Sequence, residues 1–531
     1  MSIPRLRRKV ALGGLVSLGL AGSAFAAATD VGPSTDTEPY VLPVAEGVKI
    51  TSLLTVSDAG SASNGFELAG IPDGIGLVQP PTGRNFTIFM NHEIRADAGA
   101  VRRHGYKGAF VSELTIDKRS LEVKRGQDLI DPGTRYWNYV TQEYQSSPSP
   151  GGDNPRVTED PADPTKDDFL AQPAEFGRWC SSSITEPGQL YNKKTGRGYK
   201  GQIYFGNEEV GDEGRSFGVT TDGQAQQLPR LGLFSWENTL AGYSKGDVTY
   251  TFGQEDAAAG QLWVYVGQKR LRGNAFDRAG LTNGKNFVLD LADETVDSDA
   301  EFRATYGKGQ PAKFTLGADE EVDWDQGGKA QNEEATVDGL TLNRIEDGAF
   351  DPRNPEDFYF TTTEGAPSTV PGTDPPVSRD GGGVWRLTLN DVERPWKGGS
   401  LTLLLDGSEA PYLNKPDNVG FDRYGHFLIQ EDPGNNAQLA RIVAYDVDTG
   451  ELGVVAEFDP YLFEPSSPGL VTQDEESSGI IDASKALGRG WFVFDAQVHT
   501  SAGLDDPVTQ VERGQLLTMR VRDWGAVFGT P

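Results

Sequence analysis

Six short segments of the sequence each carry a side chain that can bind a metal ion, at the same point of a repeated pattern. Five of these side chains are carboxylates, and the sixth is the thiol of the only cysteine in 531 residues. Carboxylates in excess suit hard ions, above all calcium, whereas a thiolate suits a transition metal, with iron the choice for a mostly oxygen site. The six positions are Asp73, Cys180, Glu237, Glu346, Asp417 and Glu476.

A second set of acids follows the aromatic segments that come next in the chain. If the pattern brings all of these carboxylates to one axis, their like charges repel strongly unless bound cations cancel them. We therefore expect calcium and iron as cofactors, and we expect this second set to cap the same face as further ligands. The set consists of Glu93, Glu208, Glu255, Glu364 and Glu431.

Arg344 stands out among the positive charges because it lies two residues before Glu346. Strand alternation places both side chains on one side. A guanidinium beside bound cations suits an anionic substrate that both would hold. Phosphate is the first candidate because arginine can donate two parallel hydrogen bonds to it. The alternative is a simple ion pair between Arg344 and an acid. We expect Arg344 and Cys180 to be catalytic, with Arg344 binding the substrate.

Alternative interpretations remain for the cysteine and for two histidines. A lone cysteine is often a buried apolar filler, but the register of Cys180 with five acids favours a ligand. His92 and His499 both stand at the ends of aromatic strands, where they are second-shell donors, general acids or ordinary surface residues. The chain has four histidines in all, so a zinc site built on histidine is not expected.

The elements that must position these residues are strands. Six aromatic segments alternate apolar and polar side chains, and each has a shorter small-residue segment before it and another strand after it. Six such units predict an all-β fold, a six-bladed β-propeller with long loop insertions near 146–167, 290–340 and 364–382. The alternative is an irregular array of β-sandwiches. The aromatic segments are 85–93, 201–209, 247–256, 356–364, 425–432 and 490–499.

The first 26 residues have the layout of a secretory signal peptide, read by either the general or the twin-arginine route. We expect residues 27–531 to form one propeller domain that is exported to the periplasm or outside the cell, without a membrane span and as a monomer. The formal net charge of −30 falls to −34 when the four positive charges of the signal are removed. Such a chain repels nucleic acids and anionic membranes.

Several segments together resemble a known family. They are "FMNHE", the Cys180 segment followed by "YFGNEE", "LFSWEN", "RIEDGAFDP" with "DFYFTTTEG", "PDNVGFDRYGHFLIQED" and "GWFVFDAQVH", and they run from about 66 to 500. Their order and spacing resemble the PhoX-type alkaline phosphatases, which are exported six-bladed propellers that hydrolyse phosphomonoesters with iron and calcium.

The resemblance implies roles for individual residues. Cys180 matches the cysteine that ligates iron, and Arg344 matches the arginine that grips phosphate. Two departures stand beside these matches: "CSSS" replaces a cysteine followed by alanine and glycine, and Ser-Trp-Glu stands where a histidine often precedes the glutamate. The implied acids of the metal cluster are Glu237, Glu346 and Asp417, with Glu208 in the family's paired acids.

Three functions follow as hypotheses. The first is a metal-dependent phosphomonoester hydrolase that acts on a small phosphoester. The second is a calcium-dependent lactonase or esterase, which "PDNVGFDRYG" also resembles but which leaves Cys180 and Arg344 unexplained. The third is a non-catalytic secreted propeller that binds calcium for structure.

Overall fold

A computed structural model describes residues 26–58, 60–78, 83–153, 168–317 and 320–529 of the chain. The predicted signal peptide, except for its last residue, lies outside these residues, as does most of the insertion predicted at 146–167. Nearly all of the six predicted units lie within them.

The described residues contain six antiparallel sheets whose first strands form a closed ring, each packed against the next and the sixth against the first. This arrangement confirms the predicted all-β, six-bladed propeller. The blades are numbered here in the chain order of their innermost strands. These innermost strands are Pro72–Val78, Trp179–Ile184, Trp236–Ala241, Ile345–Phe350, Pro416–Phe421 and Glu475–Asp482.

The second strands coincide with the aromatic segments singled out in the sequence. Their alternation buries one face against each neighbouring blade. The second strands are Asn85–His92, Ile203–Glu208, Val248–Glu255, Asp357–Thr362, His426–Glu431 and Trp491–Val498. The third strands are Phe110–Asp117, Ser216–Thr220, Leu262–Gln268, Gly383–Leu389, Arg441–Asp446 and Arg513–Val521. The fourth strands are Val123–Asp128, Ala225–Gln227, Lys285–Val288, Gly399–Leu405, Leu452–Phe458 and Val48–Thr55.

The beginning of the described chain closes the ring. Val48–Thr55 pairs antiparallel with the third strand of blade 6, and Ala28–Val31 extends that sheet in parallel. Val41–Pro43 pairs with the fourth strand of blade 5. Blades 5 and 6 therefore combine strands from both ends of the chain, and this pairing closes the propeller.

The predicted insertions add short elements at the periphery. Within 290–340, Asp290–Leu291 and Ala312–Thr315 extend blade 4, whereas Glu321–Val322 extends blade 3. Three two-stranded hairpins join Tyr136–Asn138 to Glu143–Gln145, Gly152–Asp153 to Asp168–Phe169, and Pro367–Thr369 to Ser378–Asp380. The α-helices are Ala275–Ala279, Asp299–Thr305, Gly328–Asp338, Pro460–Phe463, Ser484–Leu487, Pro507–Gln510 and Trp524–Phe528, and 3-10 turns span Pro229–Leu231 and Pro395–Lys397.

None of the helices in the described residues has the length and apolar character needed to cross a membrane. The longest, Gly328–Asp338, has 11 residues.

Large aromatic side chains anchor the innermost strands of blades 2 and 3. Trp179 and Trp236 are both essentially inaccessible to solvent and immediately precede two of the predicted site residues. Each indole lies against a glycine of the second strand: a β-carbon at Gly206 would be 2.1 Å from Trp179, and one at Gly253 would be 2.6 Å from Trp236. The glycines leave the space that the rings fill, which fixes where the following residues point.

Candidate metal centre

The six predicted first-strand residues occupy one register around the central channel of the propeller. Together they are called the ring, or the acid ring, below. Each directly follows a residue that pairs with the end of the second strand of its blade. In blades 1 to 5 the pairing is interrupted directly afterwards by a bulge, which re-aims side chains at such a position. The residues are Asp73, Cys180, Glu237, Glu346, Asp417 and Glu476.

The second strands contribute the residue just beyond their last paired position. This places Glu93 as expected, but in three blades it is the neighbour of the predicted acid that occupies the equivalent position. In blade 4 the position holds a threonine, one residue before the predicted Glu364. The six residues of this second tier are Glu93, Glu209, Asp256, Thr363, Asp432 and His499.

Glu208, Glu255 and Glu431 instead point away from the channel, which corrects the expectation that they cap it. Consecutive side chains on a strand face opposite sides, so a shift of one residue exchanges the channel for the body of the blade. Glu208 is ion-paired with Arg215, and both are almost fully buried. Glu431 is likewise paired with Arg441.

The remaining predicted acids of this set have other partners. Glu255 accepts hydrogen bonds from the Trp263 indole N–H at 2.9 Å and from the Gln261 backbone N–H at 3.0 Å. Glu364 belongs to none of the acid groups around the channel in the described residues, and Thr363 lies there instead, donating to Glu346 at 2.8 Å.

Among the described residues, ligand atoms around the channel form four overlapping groups, within each of which they lie no more than 4.8 Å apart. Two groups on the side of blades 1 to 3 share the Cys180 thiol, whereas the two groups on the side of blades 3 to 6 offer only carboxylate oxygens. The site therefore has a sulfur-containing half and an all-oxygen half. The groups are Asp73–Glu93–Cys180, Cys180–Glu209–Glu237, Glu237–Glu346–Asp417 and Asp417–Asp432–Glu476.

Crowding and burial oppose ionisation of these side chains. Burial, and then the charge of Glu346, hold the pKa of Glu237 well above its usual value. Burial and the neighbouring acids raise the pKa of Glu209 to about 8 and that of Glu476 to about 7. The Cys180 thiol also has a raised pKa, from burial and from Asp73 and Glu237. Bound cations would reverse this by favouring the charged forms, so the donor set fits metal ions.

Two arginines contact the ring. Arg344 pairs with Asp256 through two hydrogen bonds of 2.8 Å and lies 3.3 Å from a carboxylate oxygen of Glu346. Arg178 was missed in the sequence, although it precedes Cys180 by the same two residues that separate Arg344 from Glu346. Its guanidinium lies 2.6 Å from Glu93 and 2.5 Å from Glu209.

The two histidines have different surroundings. His92 is fully buried, stacks on Phe110 and bonds to Ser112 and to the Gly70 carbonyl, and its pKa is lowered to about 3, chiefly by burial. It is therefore a neutral packing residue away from the ring. His499 lies in the second tier, with one nitrogen 3.5 Å from Glu476 and the other 2.8 Å from Glu512.

Below the ring, the residues that follow its ligands form a buried polar layer. Asn238 donates to Asp347 at 2.7 Å, and Asn418 donates to the Ser181 hydroxyl at 2.9 Å. A cavity of about 980 Å³ begins on the far side of this layer and opens at the opposite mouth, among the turns that join first and second strands. None of the six first-strand residues of the ring lines this cavity.

A sequence model of the family described as alkaline phosphatase PhoX matches residues 217–477, just under half of the chain. Over these residues the chain is similar to the PhoX alkaline phosphatases. The PhoX match contains Glu237, Arg344, Glu346 and Asp417, whereas Cys180 lies before it. No curated protein matches the chain.

Among solved structures, Pseudomonas fluorescens PhoX in complex with vanadate has 13% sequence identity and a TM-score of 0.59, over 94% of this chain and 98% of that one. At this identity the likeness concerns the fold alone. Prolyl oligopeptidase B from Galerina marginata has 10% identity and a TM-score of 0.26, over 80% of this chain and 46% of that one. The NanB sialidase from Streptococcus pneumoniae has 7% identity and a TM-score of 0.35, over 85% and 68%. Neither of these two scores bears on function.

Proposed function

We propose that this protein is an exported, metal-dependent phosphomonoester hydrolase of the alkaline phosphatase type. The observation that carries the proposal is the set of overlapping carboxylate and thiol groups at one mouth of the channel, with Arg344 beside them. The relation to PhoX alkaline phosphatases supports a phosphatase as the class of enzyme. The substrate would be a small phosphoester, whose charged phosphate matches the charged groups of the ring.

The donor atoms favour two kinds of metal. Cys180, Glu209 and Glu237 suit iron because they combine one sulfur with oxygens, and Asp417, Asp432 and Glu476 suit calcium because they offer oxygens alone. Such ions polarise phosphoryl oxygens and lower the pKa of a bound water.

The side chains of the chain itself bind and orient the substrate. The Arg344 guanidinium lies at the edge of the ring and donates hydrogen bonds to the phosphoryl oxygens. There it stabilises the negative charge that develops on these oxygens in the transition state. The hydrogen bond from Thr363 to one oxygen of Glu346 orients this carboxylate. Asp256 holds the guanidinium of Arg344 in place through two hydrogen bonds.

The test combines metal analysis with hydrolysis. The purified protein is expected to contain iron and calcium and to hydrolyse p-nitrophenyl phosphate at alkaline pH, and a calcium chelator is expected to abolish that activity. Glu346→Gln should lose most turnover. A protein that contains calcium alone and hydrolyses a lactone but no phosphate ester would contradict the proposal.

A further inference from the structure

Arg178 and Arg344 occupy equivalent positions in blades 2 and 4. Each lies two residues before the ring ligand of its blade, and each has a left-handed backbone, with φ of 38° and 57°. The equivalent residue of blade 3, which lies between them, is Ser235. The two guanidiniums therefore flank the blade that supplies Glu237.

The contacts of both arginines are to acids of the candidate metal centre. Arg178 bridges Glu93 and Glu209, just as Arg344 bridges Asp256 and Glu346. The Arg178 side chain keeps 44% of its surface exposed and that of Arg344 keeps 29%, so both are open at the mouth. Cations bound to Glu93, Glu209 and Glu346 would compete for these oxygens and release guanidinium donors toward an anion.

We propose that Arg178 is a second substrate-binding arginine, which binds the phosphoryl group from the other side of blade 3 to Arg344 and selects monoesters over diesters. This inference rests on the proposed function. A phosphomonoester has three non-bridging oxygens, enough for two arginine forks and a metal contact. A phosphodiester has only two non-bridging oxygens. It cannot bind both guanidiniums in bidentate fashion and a metal ion as well, so one arginine would not contribute to diester binding.

The experiment compares Arg178→Ala with Arg178→Lys in the metal-loaded enzyme. The matched control is Arg197→Ala. Arg197 lies between the first and second strands of blade 2, its side chain is 48% exposed, and it forms an ion pair of 2.8 Å with Asp247. The readouts are kcat and KM for p-nitrophenyl phosphate and for bis(p-nitrophenyl) phosphate, the inhibition constant of inorganic phosphate, and metal content per chain.

Arg178→Ala is expected to lower kcat/KM for the monoester by roughly 100-fold and to weaken inhibition by phosphate, while diester hydrolysis changes little. Arg178→Lys should recover part of the lost kcat/KM, because lysine keeps the positive charge but cannot form the bidentate hydrogen bonds of arginine. The control should match the wild type in every readout.

Unchanged inhibition by phosphate in Arg178→Ala would overturn the inference. An equal loss for both esters together with lost metal would also overturn it, because that result identifies an ion pair that only supports the ring. If the wild type hydrolyses neither ester, the proposed function fails. Calorimetric binding of inorganic phosphate to the metal-loaded wild type and variant then still decides whether Arg178 contributes.

Discussion

At the scale of single residues, adjacent glutamates have opposite surroundings. Glu208 is buried against Arg215 inside blade 2, whereas Glu209 faces the channel beside Cys180 and Glu237. One carboxylate serves the stability of the blade and the next one belongs to the candidate metal centre. The same contrast holds for Glu431, paired with Arg441, and its neighbour Asp432.

This contrast predicts separable effects of Glu208→Gln and Glu209→Gln, each the control for the other. Glu208→Gln leaves the Arg215 charge buried without its partner and should destabilise the fold by about 3–5 kcal/mol. Glu209→Gln should lower metal content without destabilising the metal-free protein, because it removes one of several acids that repel one another. Denaturant unfolding and metal counting measure the two effects, and equal effects of both variants would contradict this assignment.

Cys180→Ser should keep the fold but lose iron and most turnover, with calcium largely retained. A hydroxyl nearly fills the space of the thiol but is a poor ligand for a transition metal. If Cys180 were only a packing residue, the variant would lose about 1–3 kcal/mol of stability and keep its metals. Iron and calcium counted per chain distinguish these results, and wild-type iron content in the variant would show that the cysteine is structural.

At the scale of elements, register decides which residues reach the channel. The common register of the first-strand residues was predictable because the six segments could be aligned on one position each. The second strands were aligned to the correct ends, at Glu209, Asp256 and Asp432, yet the acids one residue earlier were chosen as ligands in those blades. Composition cannot separate neighbouring acids, since only the pairing partner of each strand shows which one turns inward.

Other features depend on contacts between distant parts of the chain. The pairing of Val48–Thr55 with blade 6 has no signal within either segment, because it joins residues more than 450 apart in sequence. Arg178 did have a signal, the spacing it shares with Arg344, but that spacing gains meaning only once the ring exists.

Gly206→Ala tests how the second strand of blade 2 positions Cys180. The added β-carbon would lie 2.1 Å from the Trp179 ring and must displace it, which should cost about 1–3 kcal/mol and disturb metal binding at the adjacent Cys180. Gly525→Ala is the control, since the nearest atom there is 3.3 Å away. Thermal unfolding and iron content should both fall in the first variant, and a Gly206→Ala protein that behaves like the control would contradict the packing argument.

At the scale of the whole molecule, the propeller gathers like charges from six distant segments onto one axis. A closed ring of blades makes this possible because each innermost strand presents the same register to the channel. The net charge of −30 adds to the repulsion. Folding of the metal-free chain must therefore overcome electrostatic strain that metal binding relieves.

The stability of the metal-free protein should fall as pH rises from 4.5 to about 8. Glu209 has a folded-state pKa of about 8 against 4.5 for the free side chain, so in this window the folded state holds more protons than the unfolded state. Glu476, at about 7, acts in the same direction. Hydrogen bonds to Glu476 and Glu512 outweigh burial and raise the pKa of His499, whose stabilisation is also lost as pH rises.

The melting temperature measured with a chelator should accordingly decrease over this range, and saturating calcium and iron should remove most of the decrease. A metal-free protein whose melting temperature rises between pH 5 and pH 8 would contradict the electrostatic account of the ring.

The most direct test of a metal centre on the propeller axis is a crystal structure of the metal-loaded protein with anomalous diffraction collected at the iron edge. We predict an anomalous peak bonded to the Cys180 sulfur and to carboxylates of Glu209 or Glu237, with calcium among Asp417, Asp432 and Glu476. A ring that holds no ion in the loaded protein, or an iron peak bound elsewhere in the molecule, would contradict the account.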